Sequence, residues 1–131
     1  MRVCKVKVGF LVRRQMKEDW KVSLHGGHSG EYCDHAEGTL RQVIEAAVAF
    51  GYTTFGVSEH CPRYEERFLY PIELDLGWDV ERIIQNFEDY KVEAKKLAKA
   101  FEDRIEILIG FETEIIPDES YIETMKALRA N

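Results

Sequence analysis

Three of the four histidines fall within one short stretch, SLHGGHSGEYCDHAEG, at positions 25, 28 and 35, and the fourth is His60. Imidazole is a ligand for zinc, iron and manganese, and a cluster of several imidazoles with one or two carboxylates can hold two or three such ions. Paired ions activate a water and stabilise a phosphoryl oxyanion together. All four histidines sit at expected strand ends or in the adjoining loop, outside any helical pattern. Glu112 ends a third expected strand. The chemistry these residue types favour at that placement is metal binding, against the plainer alternative of a polar, solvated loop.

The elements that must position them alternate. VSL at 22–24 reads as a short strand entering the histidine loop. TLRQVIEAAVAFG reads as a helix: Thr39 with Gln42 fits a capping box, Leu40, Val43, Ile44, Ala47 and Val48 make one apolar face, and Gly51 is a stop. TTFGVSEH at 53–60 is a strand. Residues 61–77 read as a long loop with a short helical turn near Pro71. Asp79 caps a long helix running from Val80 to Phe101. IEILIGFE, 105–112, has the near-continuous apolar character of a buried parallel strand. ESYIETMKALRAN reads as a last helix with Ile122, Met125 and Leu128 inward.

That order is repeated βαβ, which implies a parallel sheet or part of a barrel. In such folds the ligand site lies at the C-terminal strand ends, where His25, His60 and Glu112 are expected.

The chain has 131 residues, enough for one domain with a real core. Residues 1–21 carry seven Lys/Arg against two Asp/Glu, and residues 22–131 carry eleven against twenty-two. The acidic body disfavours nucleic acid as a partner. The basic lead-in, 1–21, is either an adhesive arm or sequence upstream of the domain, since Met16 opens MKEDWKVSLH. No apolar run approaches a membrane span and no signal-peptide pattern appears, so a cytoplasmic location is expected. Three cysteines, with no CxxC pair, do not make a disulfide framework. Cys33 and Cys61 are expected to pack near the site. Glu59 is expected either to orient His60 or to face solvent, and Asp34 and Glu37 either to support the ligands or to begin the helix. Arg63 and Arg67 are candidate phosphate receivers, because guanidinium matches phosphate geometry; the alternative is surface arginines.

LHGGHS, CDHAEG, GVSEHCP and GFETEI, in that order, resemble the first half of a PHP (polymerase and histidinol phosphatase) domain, nearest its histidinol-phosphatase branch. The resemblance covers residues 22 to about 130. It implies an α/β fold, the N-terminal part of a distorted (β/α)7 barrel. It further implies a site of two or three Zn, Mn or Fe ions and hydrolysis of a small phosphate monoester in histidine biosynthesis. Matched residue by residue, His25, His28, His35 and His60 take the roles of ligands and Glu112 that of a carboxylate bridging metals. One departure is the spacing His-x-x-His where the family has His-x-His. Alternate strand residues point the same way, so the extra residue needs a bulge, which Gly26 and Gly27 would allow. A second departure is the lack of histidine after His60, where the family supplies further ligands. A barrel needs roughly 200–250 residues. The expectation is therefore a truncated or N-terminal-half chain, with about three β/α units, fewer ions and weak or no activity alone. The alternatives are another PHP phosphoesterase acting on nucleotides or nucleic acid, and a non-catalytic metal-binding fragment. A homo-oligomer through the open barrel edge is also expected.

Overall fold

A computed structural model describes residues 21–113, 116 and 119–130. The basic lead-in lies outside the described residues apart from Lys21. The element order is β1 (Val22–Ser23), α1 (Leu40–Ala49), β2 (Thr54–His60), a single 3₁₀ turn (Glu66–Phe68), α2 (Pro71–Asp75), α3 (Val80–Phe101), β3 (Glu106–Glu112) and α4 (Glu119–Arg129). The described strands form one parallel sheet in the order β1-β2-β3. This is the α/β arrangement read from the sequence, as three strands of a parallel sheet with helices. No helix among the described residues is long and apolar enough to cross a membrane.

The helix ends follow their local chemistry. Thr39 Oγ1 accepts from the Gln42 amide at 3.2 Å, and the Gln42 side chain accepts from the Thr39 amide at 2.8 Å, a reciprocal cap. Gly51 adopts φ +81° just past α1, a conformation costly for any residue with a Cβ. Asp79 Oδ1 accepts from the Arg82 amide at 2.8 Å and starts α3.

Alternation along the strands divides the sheet into two faces. Phe55, Val57 and Glu59 of β2 share a side with Ile107, Ile109 and Phe111 of β3, their register partners. That side carries the core: Leu40, Ile44 and Ala47 of α1 pack with Phe87, Tyr90, Ala94, Leu97 and Phe101 of α3 over Phe55 and Val57. Tyr90, 1% exposed, ties the strands together from α3, its hydroxyl lying 2.9 Å from the Val57 carbonyl and 2.7 Å from that of Gly110.

Two burial expectations are corrected. β3 reads in sequence as a buried strand, but it is an edge of the described sheet, and Leu108 and Ile109 are 39% and 40% exposed. In α4, Met125 and Leu128 are half-buried while Ile122 is 57% exposed, turned away from the core rather than into it.

Candidate metal centre

His60 and Glu112 are the last residues of β2 and β3 and stand opposite each other in the parallel register. By strand alternation both lie on the sheet face away from α1 and α3. The β3 terminus is held there by the Cys61 amide, which donates to the Glu112 carbonyl at 2.7 Å. β1 ends at Ser23, so His25 and His28 belong to the loop that follows it. That loop crosses β2 at very close range. The Gly26 amide donates to the Gly56 carbonyl at 2.6 Å, and a Cβ on Gly26 would fall 2.1 Å from the Phe55 ring. Gly27 then turns the chain at φ +97°. Both glycines are therefore required by the path, and the path brings His28 round to the same point as His25, their ring centroids 6.0 Å apart.

The five residues that the motifs single out as ligands come together. His25 Nε2 lies 2.8 Å and His28 Nε2 3.3 Å from Glu112 Oε2. His28 stacks on His60 with centroids 4.4 Å apart, and His35 sits 5.1 Å from His28 and 5.0 Å from His60 by the same measure. His35 Nε2 and His60 Nε2 are 3.3 Å apart. Two donor groups result, His28–His35–His60 and His25–His28–Glu112, each with its ligand atoms within 4.8 Å of one another. His28 is common to both. Its side chain is 11% exposed, against 59% for His25.

The donor chemistry fits a divalent cation. Three imidazoles, or two with a carboxylate, are the combinations that zinc, manganese and iron take. The hydrogen bond from His25 holds the Glu112 carboxyl below the usual carboxylate range, so it stays an anionic donor. In a third group, His28–Cys33–Glu59, the ligand atoms lie equally close together. Burial pushes the Cys33 thiol up, which keeps its proton on, and its Sγ donates to the Ser29 carbonyl at 3.3 Å. Cys33 and Cys61 are both buried, and the Cys61 Sγ lies 3.7 Å from the Met125 sulfur.

Glu59 is placed differently from either sequence expectation. It is 2% exposed, so it does not face solvent. As a strand neighbour of His60 it points to the opposite face, and it reaches His28 instead, Oε2 lying 3.3 Å from Nδ1. Its other oxygen accepts from both the amide (2.7 Å) and the hydroxyl (3.1 Å) of Ser29. Burial pushes the Glu59 carboxyl up, and the Ser29 amide pulls it down. Ser29 is fully buried and was not singled out by motif reasoning; a serine directly after a histidine carries no periodic signal. Asp34 Oδ1 lies 3.3 Å from His35 Nδ1, a position that supports the ring, while Glu37 is exposed. The acid that meets the start of α1 is neither of these but Glu31, which accepts from the Leu40 amide at 2.8 Å.

The two arginines part company. Arg67 is exposed and forks onto Glu65 at 2.8 and 3.2 Å. Arg63 is 2% exposed, ion-paired with Glu73, and its guanidinium lies 4.0 Å from the Tyr70 ring centroid. Neither a surface arginine nor an open phosphate receiver matches that environment; Arg63 pins the 61–77 loop. Tyr70 in turn meets the His60 ring edge-on at 5.9 Å.

A probable histidinol-phosphatase of Schizosaccharomyces pombe is 43% identical over 107 residues, 82% of this chain and 34% of that protein. The histidinol-phosphatase of Saccharomyces cerevisiae is 32% identical over 112 residues, 79% of this chain and 33% of that protein. The chain thus spans about a third of the length of these curated relatives. No solved structure matches it significantly. The PHP domain family matches over residues 24–130, nearly the whole described region, and the chain belongs to that family.

Proposed function

We propose that this chain forms the metal-binding wall of a phosphatase that hydrolyses a small phosphate monoester of the histidinol phosphate kind. The observation that carries the reading is the convergence of His25, His28, His35, His60 and Glu112 at the C-terminal edge of a parallel sheet. The names of the two fungal relatives supply the substrate class. The ligands would be those five residues, holding Zn, Mn or Fe. Such ions, when bound, activate a water and offset the charge developing on the phosphoryl oxygens.

The chain's own residues have distinct tasks in this reading. Glu112 supplies the anionic oxygen that two imidazoles face. Stacking of His28 on His60 keeps both rings from rotating out of the cluster. Arg67, exposed, ion-paired to Glu65 and lying over the Phe68 ring, can exchange that surface carboxylate for a substrate phosphate at small cost. Arg63 would serve binding by fixing the loop that carries Tyr70 and Arg67. The acidic body supports a small substrate over nucleic acid. Because the chain spans about a third of its relatives' length, we expect the isolated 131 residues to turn over slowly.

The test is phosphate release from L-histidinol phosphate by the chain reconstituted with Zn²⁺ or Mn²⁺, against a panel of nucleotides. Chelator-sensitive release that favours histidinol phosphate is expected. A reconstituted chain that retains no metal would overturn the ligand assignment, and preference for nucleotides would move the substrate class to another PHP phosphoesterase.

A further inference from the structure

Glu59 is absent from the proposed ligand set, yet its side chain is 3% exposed and lies directly against that set. Its Oε1 receives two hydrogen bonds from one residue, Ser29, through the backbone amide and the hydroxyl. That double contact fixes the carboxylate plane. It leaves Oε2 3.3 Å from His28 Nδ1, an ion-pair contact, and neither of those two buried atoms has a hydrogen-bond partner among the described residues, so each is the polar group nearest to hand for the other. On the far side of the same ring, Nε2 faces Glu112. Ser29 follows His28 in the chain, so the turn that seats Ser29 on Glu59 seats the imidazole as well.

A neutral imidazole carries one N–H, and a metal ligand must be the nitrogen without it. We propose that Glu59 is a positioning residue that holds His28 as the Nδ1–H tautomer and so reserves its Nε2 lone pair for a divalent cation. This rests on the metal-binding reading above. With its proton on Nδ1, His28 has nothing to donate to Glu112, and the two atoms act as two donors toward one cation. A carboxylate behind a ligating histidine commonly has this effect, fixing tautomer and ring plane together.

The experiment uses the metal-free chain, ¹⁵N-labelled, with long-range ¹H–¹⁵N spectra to read each imidazole tautomer. Zn²⁺ affinity is measured by competition with a chromophoric chelator. Glu59→Gln is nearly isosteric. Its carbonyl oxygen can keep the Ser29 bonds, which turns its NH2 toward His28 Nδ1, makes that nitrogen an acceptor and moves the proton to Nε2. The expected result is Nδ1–H His28 in the wild type, Nε2–H in Glu59→Gln, and Zn²⁺ affinity lowered by about 10–100-fold in the variant. Glu59→Asp should restore the wild-type tautomer and part of the affinity, which a space-filling role would not do.

An Nε2–H tautomer in the wild type overturns the proposal, and this reading decides it even if Glu59→Gln does not fold. Unchanged tautomer and affinity in a folded Glu59→Gln overturns it too. So does a thiolate-to-cobalt charge-transfer band on adding Co²⁺ that Cys33→Ser abolishes, because Glu59 would then be a ligand beside Cys33. A chain with Nδ1–H His28 that binds no metal instead sinks the metal reading and leaves the tautomer assignment standing.

Discussion

At the scale of single residues, His28 is the point on which the cluster turns. The HGGH spacing makes it the less obvious of the two loop histidines, because a residue three along a strand points the wrong way. The close passage of Gly26 over Phe55 and the turn at Gly27 reverse that expectation. His28 becomes far more enclosed than His25 or His35, and it belongs to each candidate donor group. His28→Ala should therefore weaken Zn²⁺ binding more than His25→Ala or His35→Ala. The expected loss exceeds the ~10–100-fold typical of a partner one step removed from the metal. Competition titrations of the three variants check the order, and equal losses would mean that no ligand is shared. Gly26→Ala tests the path itself. Its methyl would collide with the Phe55 ring and the Gly56 carbonyl, so a loss of about 1–3 kcal/mol in urea unfolding is expected, with weaker metal binding. The ligand types were legible in the sequence because histidine and glutamate announce their chemistry. Glu59 was not, because its role depends on which face of β2 it occupies and on a loop that arrives from 30 residues away.

At the scale of elements, what was legible was local. The caps at Thr39 and Asp79, the stop at Gly51 and the final residues of β2 and β3 are set by neighbours within a few positions, and the structure has them where the pattern does. Burial of β3 and of Ile122 was not legible, since an apolar run reports what a strand can bury, not what covers it. The junction of α3 with the sheet rests on Tyr90, whose hydroxyl faces two carbonyls from different strands. Tyr90→Phe keeps the ring and leaves those carbonyls without their donor, so it should cost about 1–3 kcal/mol in denaturant unfolding. A loss below the error of the measurement would mean that the ring alone matters. Tyr90 and Tyr32, which meet ring to ring at 6.0 Å, also give a pH dependence. Burial pushes both phenols up, that of Tyr32 from 10.0 to about 12. Folded protein thus holds phenolic protons that the unfolded chain has released. Stability is full below pH 10 and falls as pH rises through that window. Urea midpoints between pH 9 and 12 should decline in the wild type and decline less in Tyr90→Phe; a flat wild-type profile would contradict the burial of both phenols.

At the scale of the whole molecule, the described residues cover one face of the sheet with helices and leave β3 as an edge. Helices α1 and α3 cover the side bearing Phe55 and Val57, while β3 presents an edge with Leu108 and Ile109 two-fifths exposed, one on each face. An edge of this kind offers unpaired backbone groups in register with apolar side chains, which is a template for another strand. Next to it a cavity of about 450 Å³ opens between α3 and α4, bordered by Phe87, Ile109, Phe111 and Leu128. The 131-residue chain is therefore expected to self-associate through β3, with the apparent mass in light scattering rising with concentration. Ile109→Lys places a charge on the edge at a side chain already 40% exposed, so it should leave the fold intact. It should also shift the population toward monomer, since lysine at an edge discourages strand pairing. Metal content decides what such association means. Because His60 and Glu112 end their strands on the face away from α1 and α3, pairing along β3 need not cover the cluster, and monomer and dimer should bind the same metal per chain. A wild type that stays monomeric across the concentration range would remove the edge as an interaction surface. A dimer that binds half the metal per chain would instead place the cluster within the contact.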